Sequence, residues 1–373
     1  MYSMVEDVCK EIDENWKKSN YSCYEFANIV MRVIDGIEFH EAFSLRDVVR
    51  RLDVPVIGNI QIPSEFSNLH LKLFDNSRFY VEILNWFDYD TYVHDHNFSG
   101  VLIQLDGASV NTCYSFSEAR SYGHDLRMGE IQISDMHLWK PGSKRVIPIG
   151  RTEKHAVFHL GKPTSSLIIR THPVDELSPQ LNYFPPYVQA NHSVLNTVFF
   201  KKINAIKLIE LTEKRGGTSR LQIDEIVKTF SLSELFWALI KIPTIFFSRQ
   251  YIDVVEEVLK YYGGTCEDLK KLIEAAHSGY MSKALVSEVK PKLQNEMDML
   301  CASILASSYS SEDVGRAVDI LLPSEKDEFV SRSRKIIDSY MIENKMMQVH
   351  YSKFVDGFLE SSKGHCVEYS EVS

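Results

Sequence analysis

The chain has 373 residues with 51 acidic and 41 basic side chains, a formal charge of −10, which repels polyanions and argues against nucleic-acid binding. It is long enough for two or three domains with their own cores. Its six cysteines form no Cys-x-x-Cys pair, which argues against a zinc ribbon or a disulfide scaffold and fits a reducing cytoplasm. The amino terminus lacks an apolar signal core, and the longest apolar runs, such as Leu235 to Phe247, are too short to span a bilayer. A soluble, cytoplasmic protein with no membrane partner is expected.

Residues 1–53 read as an N-terminal helical segment. Apolar residues recur every three or four positions through Val5, Val8, Ile12 and Trp16, and again through Phe26, Ile29, Val30 and Val33, with Asp35-Gly36 as the expected break between two helices. A shorter helical piece starts at Ser44, with Asp47 in its first turn, and ends near Leu52.

Residues 54–173 change character. Gly, Pro and Asn-Asp-Ser clusters separate short runs rich in Val, Ile, Phe and Tyr, the punctuation of an all-β unit. The expected strands are Val56–Ile62, Phe79–Trp86, Tyr92–His96, Val101–Leu105, Ser109–Phe116, Ile131–Asp135, Lys144–Ile149, His155–Leu160 and Ser165–Arg170. That density suits a small barrel or jelly roll.

Residues 174–190 contain Pro179 and Pro185-Pro186 and read as an extended linker, because proline removes donors and disfavours helix before it. Residues 191–360 read as a C-terminal helical domain, with amphipathic spacing in Asp224–Phe230, Leu232–Ile242, Tyr251–Tyr262, Cys266–Ala276, Lys290–Ser307, Ser311–Leu322 and Phe329–Tyr340. Ser231 and Ser310 stand at helix starts, and Gly263-Gly264 and Pro323 at ends. Residues 361–373 are polar and read as a flexible tail. The fold class is therefore α+β and multi-domain, and the C-terminal helices are a candidate surface for a protein partner.

The chemistry concentrates in His94-Asp95-His96. Two histidines at i and i+2 on a strand point to one face, so both imidazoles can grip one metal ion. Lys154-His155-Ala156-Val157-Phe158-His159, about sixty residues on, offers further imidazoles within another alternating run. The bland alternative is a set of hydrogen-bonded core histidines. Tyr89, Tyr92, Gln104, Tyr114 and Arg78 are candidate pocket residues, with Arg78 more in keeping with a solvated turn beside Asn76-Ser77. His124, His137 and His172 sit in or beside polar turns, where a surface role is the default.

This stretch resembles the cupins, small double-stranded β-helix barrels with a metal in the mouth. Their first motif, Gly-x5-His-x-His-x3or4-Glu-x6-Gly, is matched by His94-x-His96, with Gly100 after three intervening residues and Gly107 after six more. Asp88 stands at the opening glycine, and Gly100 takes the place of the carboxylate ligand. The second motif, Gly-x5-Pro-x-Gly-x2-His-x3-Asn, has a partial counterpart in Gly142-x5-Pro148-x-Gly150-x4-His155-x3-His159.

The resemblance implies a metal site of His94, His96 and His155, supported by His159, Gln104 and Tyr92. Three histidines without the glutamate are similar to the cysteine dioxygenase branch, although Gly100 leaves no cysteine for that branch's thioether cross-link. The implied cofactor is Fe(II), with Zn, Ni or Cu also suited to imidazole. Three neutral ligands leave the ion's charge uncompensated, which favours a small anionic substrate. The implied activity is that of an oxygenase or dioxygenase acting on a small metabolite or thiol. Two alternatives stay open: a ligand-binding or sensor protein whose helical domain docks a partner, and a metal-dependent isomerase or hydrolase.

Overall fold

A computed structural model of the chain describes residues 2–62, 67–87, 91–161, 163–177, 179–213, 220–247, 260–262 and 268–364. It is of mixed class, with N-terminal helices, central β-sheets that include a closed barrel, and a C-terminal helical region. Among the described residues no helix is long and apolar enough to cross a membrane.

Helices α1 (Tyr2–Lys18) and α2 (Cys23–Val33) form where the apolar spacing places them. The break between them falls at Ser19–Ser22 rather than at Asp35-Gly36, which follows α2. Asn20 and Tyr21 take positive φ there, at 53° and 56°, and the turn is held by Trp16, whose carbonyl accepts from Tyr21 N and whose Nε1 donates to the Ser22 carbonyl. Helix α3 (Leu45–Arg50) starts where expected, with Ser44 Oγ accepting from Asp47 N.

The expected strand Val56–Ile62 is not formed. Pro55 opens a one-turn helix, α4 (Pro55–Gly58), in which its fixed φ suits the first turn and its missing N–H costs nothing. Val56 is left 66% exposed, so the apolar run buries no sheet face.

The strands are β1 (Leu69–Asp75), β2 (Phe79–Trp86), β3 (Val93–His96), β4 (Gly100–Asp106), β5 (Ser109–Ser121), β6 (Leu126–Trp139), β7 (Lys144–Ile147), β8 (Gly150–His159), β9 (Thr164–Thr171), β10 (Asn182–Phe184) and β11 (Val188–Ala190). One sheet has the order β1-β2-β9-β4-β7, and a closed ring has the order β10-β11-β6-β5-β8-β3. Strands β10 and β11 arise from the stretch read as an extended linker. β10 pairs with β3 and β11 with β6, so this segment closes the barrel wall.

The pleat explains why the five-stranded sheet is buried on both faces. Val81 and Ile83 of β2, Val101, Ile103 and Leu105 of β4, and Leu167 and Ile169 of β9 join one core with Val8, Ile12, Trp16, Phe26 and Ile29 of the N-terminal helices. The alternate residues Leu84, Trp86, Leu102, Ser166, Ile168 and Arg170 turn the other way and line a cavity between the sheets.

The C-terminal region comprises α5 (Thr197–Glu213), α6 (Arg220–Val227), α7 (Leu232–Lys241), α8 (Pro243–Phe246), α9 (Leu269–Ala284), α10 (Glu296–Ser307), α11 (Ser311–Leu321), α12 (Lys326–Tyr340) and α13 (Lys345–Gly364). Ser231 and Glu234 form a reciprocal capping box on α7, and Ser310 Oγ accepts from Asp313 N at the start of α11. The expected helix Tyr251–Tyr262 lies largely outside the described residues, as do Gly263-Gly264. Helix α13 runs on to Gly364, beyond the expected start of the flexible tail; residues 365–373 are outside the described part.

These helices pack on the barrel rather than over the cavity. Val110, Tyr114, Ile131, Ile133 and Phe158 share a core with Met281, Leu300, Ile304 and Val314. Tyr114 donates to the Ser307 carbonyl, and the Ile133 amide donates to buried Asp313.

Candidate metal centre

Strand β3 presents His94 and His96 on one face, and the β3–β8 register sets His94 opposite His155. A register shift between His94 and His96 then brings His96 opposite Gly150, whose φ of +86° suits glycine. All three histidines are buried, at 5% exposure each. Their ligand atoms lie within 4.8 Å of one another, and they are the one such group of three found among the described residues.

The hydrogen bonds fix which nitrogens face the centre. His94 Nδ1 donates to the Tyr92 carbonyl at 2.8 Å, which makes Nε2 the ring nitrogen that can offer a lone pair to a metal. His155 Nδ1 is bonded to Asn111 Oδ1, whose amide orientation follows from Asn111 Nδ2 donating to Cys113 Sγ at 3.3 Å. His155 Nε2 and His96 Nε2 stand 3.2 Å apart. Two nitrogens each about 2.0–2.1 Å from one ion, at roughly 90–109°, are separated by about 2.8–3.4 Å. His96 Nδ1 is buried without a hydrogen-bond partner, and its ring is held between Phe98 and the other two imidazoles, with centroids 4.8–4.9 Å away.

Electrostatics favour neutral imidazoles. Burial lowers the pKa of each, and for His96 the adjacent His155 and His94 push further in the same direction. The neutral form is the metal-binding form. Asp95, the acid inside the motif, faces away: its carboxylate accepts from the Leu181 amide at 2.8 Å and from Tyr183 OH at 2.9 Å. Burial raises its pKa. The donor set thus fits a divalent ion held by three imidazoles, with no carboxylate in the cluster.

The other expected site residues separate. His159 lies on the cavity wall outside the three-nitrogen cluster, stacked on Trp86 at 4.7 Å with Nδ1 3.0 Å from Ser109 Oγ. Tyr92 acts through its carbonyl, while its ring packs toward Phe184. Gln104 is a correction: it is fully buried, but its amide donates to the Asp106 carbonyl and accepts from Ser166, so it ties down the β4 end instead of reaching the imidazoles.

Tyr114 also faces elsewhere, toward α10. Arg78 lies on a half-exposed turn, paired with Asp13. His137 pairs with Asp135 and His172 with Asp75, and His124 is exposed. Tyr89 is outside the described residues.

Two further residues beside the histidines carry no sequence motif. Asn111 is 0% exposed on β5, at the position whose pleat phase points at His155. Arg170, next to last in β9, lines the same cavity as the histidines. The i, i+2, i+4 pattern of Ser166, Ile168 and Arg170 was the available signal, once the inward face of β9 is known.

No protein-family model matches the chain, and no curated protein matches it. Solved structures with a partial likeness include the hydroquinone 1,2-dioxygenase of Sphingomonas sp. TTNP3 with 4-hydroxybenzoate bound. That match has 12% identity and a TM-score of 0.23, and covers 29% of this chain and 68% of that one. The DMSP lyase of Ruegeria pomeroyi DSS-3 matches at 13% identity and a TM-score of 0.23, over 34% of this chain and 60% of the lyase. The polyketide cyclase of Streptomyces resistomycificus matches at 20% identity and a TM-score of 0.22, over 31% of this chain and 70% of the cyclase. Likenesses at this level assign no chemistry to the chain. The closed barrel and its buried three-histidine cluster are cupin-like in their own right.

Proposed function

We propose that this chain is a mononuclear metal enzyme of cupin type, in which His94, His96 and His155 hold a divalent ion beside a small-molecule cavity. The observation that carries this reading is the 3.2 Å approach of His155 Nε2 to His96 Nε2 within a cluster whose other ring nitrogens are pre-set. A bound ion would supply Lewis-acid and, if iron, redox chemistry at positions the protein leaves open. The chain's own contribution is orientation. The Tyr92 carbonyl and Asn111 Oδ1 hold the Nδ1 protons of His94 and His155, which keeps the lone pairs directed inward. Leu84, Trp86, Phe98, Ile147 and Ile168 keep the adjoining space apolar, and Asp95 is withdrawn from it.

Three neutral imidazoles without a carboxylate support Fe(II) and an oxygenase reaction on a small anionic metabolite or thiol, while Zn, Ni and Cu also suit the ligand set. The free thiols of Cys9, Cys23, Cys113 and Cys301 support a reducing, cytoplasmic setting. The test is anaerobic loading with Fe(II), followed by oxygen-uptake measurements across small carboxylates and thiols. Uptake that requires both iron and substrate, and is lost in His96→Ala, is the expected result. Turnover that is indifferent to oxygen and equal with zinc would favour an isomerase or hydrolase. Metal-free protein without turnover would favour a sensor whose C-terminal helices dock a partner.

A further inference from the structure

Arg170 is a cation inside the same cavity with no acceptor among the described residues to satisfy it. Its guanidinium lies 3.4 Å from the Phe98 ring centroid and 5.1 Å from that of Tyr80. Among the described residues it makes no ion pair or side-chain hydrogen bond, and its Nε is buried without a partner. Glu82, whose charge it feels, is bonded to His70 instead. Phe98 also neighbours the metal cluster, its ring centroid 4.8 Å from that of His96, and Arg170, Phe98 and His96 line one cavity.

The lost carboxylate of the histidine motif has a steric counterpart here. A Cβ at Gly100 would lie 2.7 Å from the Ile169 carbonyl oxygen and 2.9 Å from Arg170 Cβ. No side chain, and so no glutamate, fits at position 100 while β9 carries Arg170 past it. The site therefore combines an uncompensated guanidinium with a ligand set that adds no negative charge.

We propose that Arg170 anchors the substrate through a carboxylate, and that the cavity takes a small monocarboxylate with an apolar body directed toward His94, His96 and His155. Arginine offers a planar fork that matches a carboxylate bidentately. Arg170 is the only lysine or arginine lining the cavity among the described residues, which suits one negative charge and not a phosphate dianion. The volume of about 130 Å³ is well under the ~300–1,000 Å³ of drug-sized sites, and the walls are aromatic and aliphatic. The inference rests on the metal reading only for the direction in which the apolar body points.

The test uses benzoate and its neutral isostere benzamide, followed by tryptophan fluorescence, since Trp86 and Trp139 line the cavity. The full-length, metal-loaded protein is expected to bind benzoate at least about tenfold more tightly than benzamide. Arg170→Gln should abolish that preference with metal content unchanged, and Arg170→Lys, which keeps the charge, should retain part of it. The preference should also survive in chelator-stripped wild type. Equal binding of the two probes, no benzoate binding in the millimolar range, or a preference that persists in Arg170→Gln would each overturn the proposal. A preference that vanishes on stripping yet persists in Arg170→Gln would place the anion on the metal, leaving the metal reading intact and removing Arg170. Protein that takes up no metal but keeps an Arg170-dependent preference would do the reverse.

Discussion

Asn111 stands directly behind His155, its Oδ1 bonded to His155 Nδ1 and its Nδ2 donating to Cys113 Sγ. This pairing commits His155 Nε2 to the side where His96 lies. Replacing Asn111 by Leu removes the acceptor and leaves a buried N–H unsatisfied. Metal affinity should fall about 10–100-fold, measured by chelator competition. Stability of the metal-free protein should fall by about 1–3 kcal/mol, measured by urea unfolding. An unchanged metal affinity would contradict the assignment of Asn111 as the residue that orients His155.

Restoring the carboxylate at position 100 should fail. Gly100→Glu must push Cβ into the Ile169 carbonyl and Arg170 Cβ. Even Gly100→Ala is expected to cost about 1–3 kcal/mol as overpacking, read from denaturant midpoints. Neither variant should bind metal more tightly than wild type.

Acid should weaken the fold through buried histidines. His350, packed against His277, Tyr351 and Phe354, has its pKa lowered to about 4, by burial first and by His277 next. Below an ordinary histidine pKa of about 6.5 the unfolded chain takes up a proton that the folded one refuses. The contribution is thus complete above pH 6.5 and is lost as pH falls toward 4. His350→Phe should flatten the stability curve in that window by up to one proton's worth, about 1.4 kcal/mol per pH unit. Parallel curves for variant and wild type would refute this.

The helical layer should be energetically joined to the barrel. Asp313 is buried and accepts from the Ile133 amide at 3.2 Å and the Tyr309 amide at 3.3 Å. Asp313→Ala orphans both donors, and a loss of about 1–3 kcal/mol is expected in thermal or urea unfolding. A stability equal to wild type would show that the contact is dispensable.

The histidine motif was readable because i, i+2 spacing on a strand dictates a shared face, and most barrel strands were readable from alternation and turn punctuation. The failures have physical causes. Val56–Ile62 looks like a strand by composition, yet Pro55 starts a helical turn and no sheet partner covers Val56. Asn182–Phe184 and Val188–Ala190 are three-residue strands around Pro185-Pro186, too short for a period to register. Strand β1 and helices α5 and α13 were not picked out. Gln104 shares β4 with residues that face the cavity, but its amide is captured by the nearby turn. Arg170 and Asn111 carry no motif, and only pairing across the sheets brings them to the histidines.

If the three imidazoles hold one ion, elemental analysis will count it. Protein purified without chelator or affinity-tag nickel, or reconstituted anaerobically with Fe(II), should carry about one metal ion per chain. A folded His94→Ala, His96→Ala variant should carry none. Metal content that is negligible in wild type even after reconstitution, or equal in the two proteins, would show that these histidines do not form a metal site.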